Sequence, residues 1–101
     1  MCIRDRPRAP CVYIVASARN GTLYTGVTSN LSQRIHQHRE GHTPGFASRY
    51  GCHLLVFQEF YERMEDAIAR EKQIKGGSRA RKLALIEATN PQWRDLYPDL
   101  A

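Results

Sequence analysis

Apolar and polar positions fall along the chain in short blocks separated by turn residues. Cys11–Ala16 (C-V-Y-I-V-A) is continuous, β-branched and aromatic, which predicts a strand. Asn20-Gly21 is the strongest short hairpin signal, and 23–27 (L-Y-T-G-V) reads as the returning strand. Thr28, Ser29 and Asn30 offer N-caps for a helix expected over 31–39, with Gly41 placed to end it. Residues 42–50 hold Pro44 and Gly45 and read as a loop. Leu54–Phe60 (L-L-V-F-Q-E-F) predicts a third strand, and its near-continuous apolar run points to a buried central position. A second helix is expected over 63–75, with Met64, Ala67, Ile68 and Ile74 on one face and Gly76-Gly77 closing it. Ser78 caps a third helix over 79–88 that carries Leu83 and Ile86. Asn90-Pro91 breaks that helix, and Trp93 with Tyr97 anchors a short tail. The order β-β-α-β-α-α predicts an α+β domain, a small three-stranded antiparallel sheet flanked by helices.

Length and composition narrow this picture. The chain has 101 residues, 42% hydrophobic and 25% charged, as expected of one globular domain. No apolar run approaches the roughly 20 residues of a membrane span, and no apolar signal-peptide core is visible near the N-terminus. A cytoplasmic protein without a membrane partner is expected. Residues 1–10 lack periodicity and read as a disordered or non-native leader; the domain is expected over 11–97, with 98–101 as a tail. The formal net charge is +5. Setting aside Arg4, Asp5, Arg6 and Arg8 leaves 12 basic and 9 acidic residues, about +3. That mild excess permits a nucleic-acid partner and equally fits an ordinary basic domain. The three cysteines, Cys2, Cys11 and Cys52, include no C-x-x-C pair, which argues against a disulfide framework or a zinc knuckle. Cys11 and Cys52 read as packing residues.

Three features do not reduce to folding. Glu71 lies four residues after Ala67 and three before Ile74, inside the apolar stripe of its helix, where a carboxylate is costly unless paired or metal-bound. Arg34 and His38 stack at i, i+4 on the first helix, beside Leu31 and Ile35. An arginine placed so can grip a phosphate with two hydrogen bonds. Tyr13 and Tyr24 stand one on each hairpin strand. Each feature also has a plain reading. Glu71 has Lys72, Lys75 and Arg70 within reach as ion-pair partners, Arg34 and His38 fit a solvated face, and hairpin tyrosines usually pack.

In order, these residues resemble the GIY-YIG nuclease superfamily over about residues 11 to 97. The first signature triplet matches Val12-Tyr13-Ile14 and the second Tyr24-Thr25-Gly26, their tyrosines eleven positions apart across the turn. The arginine of the following helix matches Arg34, the His-or-Tyr four positions on matches His38, and the acidic metal ligand matches Glu71 within A-R-E-K-Q-I-K. A late asparagine matches Asn90 within N-P-Q-W. The stretches Y-T-G-V-T-S-N-L and A-R-E-K-Q-I-K-G resemble the small single-domain bacterial branch. The chain departs from the pattern where V-Y-I replaces the name-giving glycine, and where Val27 stands at the position of a lysine in some relatives.

The resemblance implies a metal-dependent endonuclease that hydrolyses phosphodiester bonds in DNA, directed by structure rather than sequence, with RNA also a possible substrate and DNA repair an expected setting. Glu71 is then expected to hold Mg²⁺ or Mn²⁺. Arg34 would neutralise phosphoryl charge, and Tyr13 would orient or deprotonate the attacking water, with a nearby cation favouring its phenolate. Tyr24 and His38 would position the phosphate or relay protons, and Asn90 would brace the site from behind. Arg49, Arg79, Arg81 and Lys82, with Arg34, are expected phosphate contacts. Two rivals remain. One is a non-catalytic nucleic-acid-binding module on the same fold. The other is a metal-binding or interaction protein using His36, His38 and His42, which lacks the spacing of a zinc motif. The oligomeric state stays open between monomer and weak dimer.

Overall fold

The computed structural model describes residues 9–40 and 54–96, except the side chains of residues 32 and 37–40. Six elements occur in the expected order: β1 (Cys11–Ala16), β2 (Leu23–Thr28), α1 (Leu31–Glu40), β3 (Leu54–Phe60), α2 (Met64–Lys75) and α3 (Arg79–Thr89). The strands form one antiparallel sheet in the order β2-β1-β3. The centre is therefore β1, not β3 as its apolar run predicts. All six β1 residues are buried. β3 is apolar at an edge because its outer side is covered: Leu96 N donates to Leu55 O at 2.8 Å and Leu55 N to Asp95 Oδ1 at 3.2 Å. The tail thus takes hydrogen-bonding positions that a further strand would fill.

Local signals explain the joints. The β1–β2 turn closes through Ser17 N to Thr22 O and Gly21 N to Ala18 O, with Asn20 left-handed at φ 59. Arg79 Nη2 donates to both Asn20 O and Gly21 O at 2.8 Å, which staples this turn to the start of α3. Of the three N-cap candidates Asn30 begins α1: its Oδ1 accepts from Gln33 N, and its Nδ2 donates to Gln33 Oε1. Ser78 caps α3 by accepting from Arg81 N.

Strand alternation splits the core into two layers. Val12, Ile14 and Ala16 face α2 and α3, packed with Val56, Phe57, Ala67, Ile74, Ile86 and Trp93. Cys11, Tyr13 and Val15 face α1, packed with Leu31, Ile35 and Leu55. A register shift between Ile14 and Val15 leaves Val56 as the extra residue of a bulge, so Val56 and Phe57 enter the same layer. Ile68 departs from the expected stripe: it is 37% exposed, because α2 turns only Ala67 and Ile74 fully inward. Trp93 is buried and donates from Nε1 to Glu87, which anchors the tail; Tyr97 and the 42–50 loop lie outside the described residues. So do residues 1–8 of the leader, while Ala9 is buried and Pro10 O accepts from Tyr61 N. The domain therefore takes in the last two residues of that stretch. Among the described residues no helix is long and apolar enough to cross a membrane.

Candidate active site

The α1 side of the sheet carries a polar group in an otherwise apolar layer. Tyr13 is 1% exposed. Its ring lies over Gly26, its antiparallel partner on β2. A Cβ at position 26 would stand 2.5 Å from the Tyr13 hydroxyl and 2.6 Å from Cζ. The glycine of the second triplet is thus a steric requirement of the tyrosine of the first. From α1, Arg34 Nε donates to the Tyr13 hydroxyl at 3.3 Å, and Tyr24 is a further hydrogen-bonding partner of Arg34. The two tyrosine rings tilt against each other with centroids 6.5 Å apart.

The electrostatics follow from burial. Desolvation pushes the Tyr13 phenol above its usual value, and the opposing hydrogen bond and charge of Arg34 do not cancel it. The phenol is therefore neutral, and Arg34 alone does not create the phenolate that the sequence reading asks of a nearby cation. For Arg34, burial pulls the pKa down, but hydrogen bonds and charge interactions with Tyr13 and Tyr24 win and hold it charged. Cys11, in the same layer, is pushed up to about 12, mostly by burial. It is an inert packing thiol, as expected.

Glu71 joins this group from α2 through Lys75. Its Oε2 lies 3.1 Å from Lys75 Nζ, and its side chain is 15% exposed against 50% for Lys75. The same ammonium lies 5.9 Å from the centroid of the Tyr24 ring. Of the three basic neighbours named from the sequence, Lys75 takes Glu71, whereas Arg70 turns to Glu59 on β3. Four elements thus contribute to one chain of contacts: Tyr13 from β1, Tyr24 from β2, Arg34 from α1, Glu71 and Lys75 from α2.

Asn90, Arg79, Arg81 and Lys82 lie elsewhere. Asn90 is buried, donates from Nδ2 to Val56 O and Arg94 O, and accepts on Oδ1 from Arg94 N. It ties the end of α3 and the tail to β3, and none of its partners belongs to the tyrosine–arginine group. Arg79 is engaged with the hairpin turn. Arg81 and Lys82 line a cleft of about 420 Å³ between α2 and α3 with Arg70, Ile74 and Leu85, on the other flank of α2 from Lys75. His38 lies in α1 with its side chain outside the described residues, as does Arg49 entirely. His36 is exposed, and among the described residues no group of three His, Cys, Asp or Glu side chains could hold a metal. Two residues had no site role assigned from the sequence. Lys75 was named only as one of three ion-pair partners of Glu71, and its i+4 spacing singles it out. Gln58 was readable as the polar position that alternation puts on the Tyr13 side; it pairs with Tyr13, and its Oε1 is buried without a hydrogen-bond partner.

The chain has clear relatives. The family model of the GIY-YIG catalytic domain matches residues 9–84. A UPF0213 protein of Staphylococcus haemolyticus is 38% identical over 76 residues, covering 75% of this chain and 92% of that one. A UPF0213 protein of Staphylococcus aureus is 39% identical over the same shares. The solution NMR structure of a UPF0213 protein from Bacillus halodurans superposes with a TM-score of 0.54 at 28% identity, covering 85% of this chain and 90% of that one.

Proposed function

The chain belongs to the GIY-YIG catalytic domain family, and from that membership we propose that it is an endonuclease that hydrolyses phosphodiester bonds in DNA with the aid of Mg²⁺ or Mn²⁺. The observation that carries the reading is the convergence of Arg34, Tyr13, Tyr24 and Glu71 from four separate elements. Packing alone gives no reason to hold an arginine on a buried phenol, or to link a sheltered carboxylate to the neighbouring Tyr24 ring through Lys75.

The donor set fits a hard divalent ion. Glu71 is a sheltered carboxylate that already holds a cation, the Lys75 ammonium. With a single acidic ligand, Mg²⁺ or Mn²⁺ would keep several waters, as these ions commonly do. Glu71 would hold such an ion, which when bound would supply polarisation of the phosphate and support for the leaving oxygen. Arg34 does the rest of the charge work, meeting the phosphoryl oxygens as negative charge builds there. Tyr13 and Tyr24 fix where that guanidinium stands. Since Tyr13 is covered in this conformation, its first role is to position Arg34, and orienting the attacking water would require its hydroxyl to become exposed. Deprotonating that water would further require the bound ion to favour the Tyr13 phenolate, since Arg34 alone does not. His38, one turn beyond Arg34, relays protons or steadies the phosphate. Fixed contacts to a backbone phosphate carry no base readout, so the preference is for DNA structure rather than sequence.

The test is a cleavage panel of flap, nicked, double- and single-stranded DNA, with an RNA strand included, in Mg²⁺, Mn²⁺ or EDTA. Cleavage is expected only with metal. Glu71→Ala should abolish it while the melting temperature holds or rises, because a partly desolvated carboxylate is removed. Cleavage by Glu71→Ala in EDTA at the wild-type rate would sink the metal mechanism. Tight binding without any cleavage would favour the non-catalytic module, with Arg81 and Lys82 as its phosphate contacts.

A further inference from the structure

Lys75 makes two contacts that the proposed reaction does not use. Its Nζ sits 3.1 Å from Glu71 Oε2 and 5.9 Å from the centroid of the Tyr24 ring. A carboxylate as sheltered as Glu71 needs a counter-charge. Lys75, one helical turn on, supplies it, and the aromatic face gives the ammonium a second anchor on β2. A cation therefore already stands at an oxygen, Glu71 Oε2, that a divalent ion would take. The ion has to displace the ammonium, and an ammonium left a few ångströms away repels it.

We propose that Lys75 is a built-in occupant of the Glu71 cation site, which weakens divalent-ion binding to the free protein and yields the carboxylate when the ion enters. The inference rests on Glu71 being the metal ligand. Its consequence is a charge switch. The Glu71–Lys75 pair is neutral; with a divalent ion on Glu71 and the ammonium released, the same group carries +2. The site becomes attractive to a phosphodiester when it is loaded, so metal and nucleic acid bind cooperatively.

The test is Mn²⁺ binding to the full metal-free chain, followed by calorimetry and by the electron paramagnetic resonance of free Mn²⁺, with thermal melts to establish that each variant is folded. Lys75→Met should bind Mn²⁺ at least about tenfold more tightly than wild type, the scale of one ammonium repelling a divalent ion across a few partly hydrated ångströms. Lys75→Arg, which keeps the charge, should stay near wild type. So should Lys72→Met, which removes a neighbouring exposed charge from the same helix and controls for net charge. Glu71→Gln should lose the site. Binding by Lys75→Met that is unchanged, weaker or absent overturns the inference, and if Glu71→Gln still loses the site, the metal-ligand reading survives alone. Wild-type binding by Glu71→Gln overturns both.

Discussion

The two sides of the central strand make different use of the same six residues. Toward α2 and α3, Val12, Ile14 and Ala16 pack into the main apolar cluster, with Thr25 and the Glu59–Arg70 pair beside it, and what chiefly holds that layer is area removed from water. Toward α1, Cys11, Tyr13 and Val15 also lie in an apolar layer, but Tyr13 brings a hydroxyl into it and Arg34 brings a charge to the hydroxyl. Burial raises the phenol's pKa while the arginine works against the rise. One side is built for stability. The other accepts a desolvated polar group that stability does not require, which is common where a fold carries chemistry. Mutations should therefore separate turnover from stability according to the side they fall on.

The largest effects should come from the sharpest form of that contrast. Arg34→Ala should lower turnover about 10²–10³-fold, the usual scale for losing one donor to developing oxyanion charge. Its effect on stability should stay near the 1–2 kcal/mol of a lost, partly exposed hydrogen bond. Ile14→Ala should do the reverse, with a loss of about 2–5 kcal/mol from a fully buried position and near-normal turnover per folded molecule. Urea melts beside single-turnover cleavage read both quantities. If the two variants fell on one line, with turnover tracking stability, the division between the sides would be wrong.

The contrast was only half legible in the sequence. Periodicity placed all six elements because each begins or ends on a local signal, such as Asn20-Gly21, Asn30 or Ser78, and these capping and turn preferences act within a few residues. Sheet order was not legible. An apolar strand looks central whether its edge is covered by another strand or, as with β3, by the tail at Asp95 and Leu96. At the site, Glu71 stood out because helical spacing put a charge among apolar positions. The Tyr13–Arg34 bond joins residues 21 positions apart, and nothing local foretells it; it entered through the family resemblance. Asn90 entered the same way, while its hydrogen bonds lie with β3 and the tail.

Gly26 sharpens the comparison at a single atom. A methyl group there would press on the Tyr13 ring from β2, in a buried layer shared with Leu31 and Ile35. Gly26→Ala should cost about 1–3 kcal/mol, the range of an overpacked core. It should also lower turnover, because a displaced phenol releases Arg34. The stability cost should shrink in the double variant with Tyr13→Ala, since truncating the ring makes space for the methyl; this departure from additivity is the signature of direct contact. Independent, additive losses would mean that the ring does not rest on position 26.

Asn90 is the smallest and most discriminating case, since resemblance sets it at the site and its hydrogen bonds set it in the scaffold. Asn90→Ala removes two donated bonds and one accepted bond from a buried side chain, leaving Arg94 N and O and Val56 O to find other partners. A loss of about 1–3 kcal/mol is expected. Hydrogen exchange should quicken first at the amides of Arg94 and Leu96, whose bonds depend on the tail lying along β3. Turnover per folded molecule should not change, because the tyrosines and Arg34 stand on the other side of β1 and keep their contacts. A fall in turnover with melting and exchange unmoved would return Asn90 to the active site and dissolve the division between the two sides at that position.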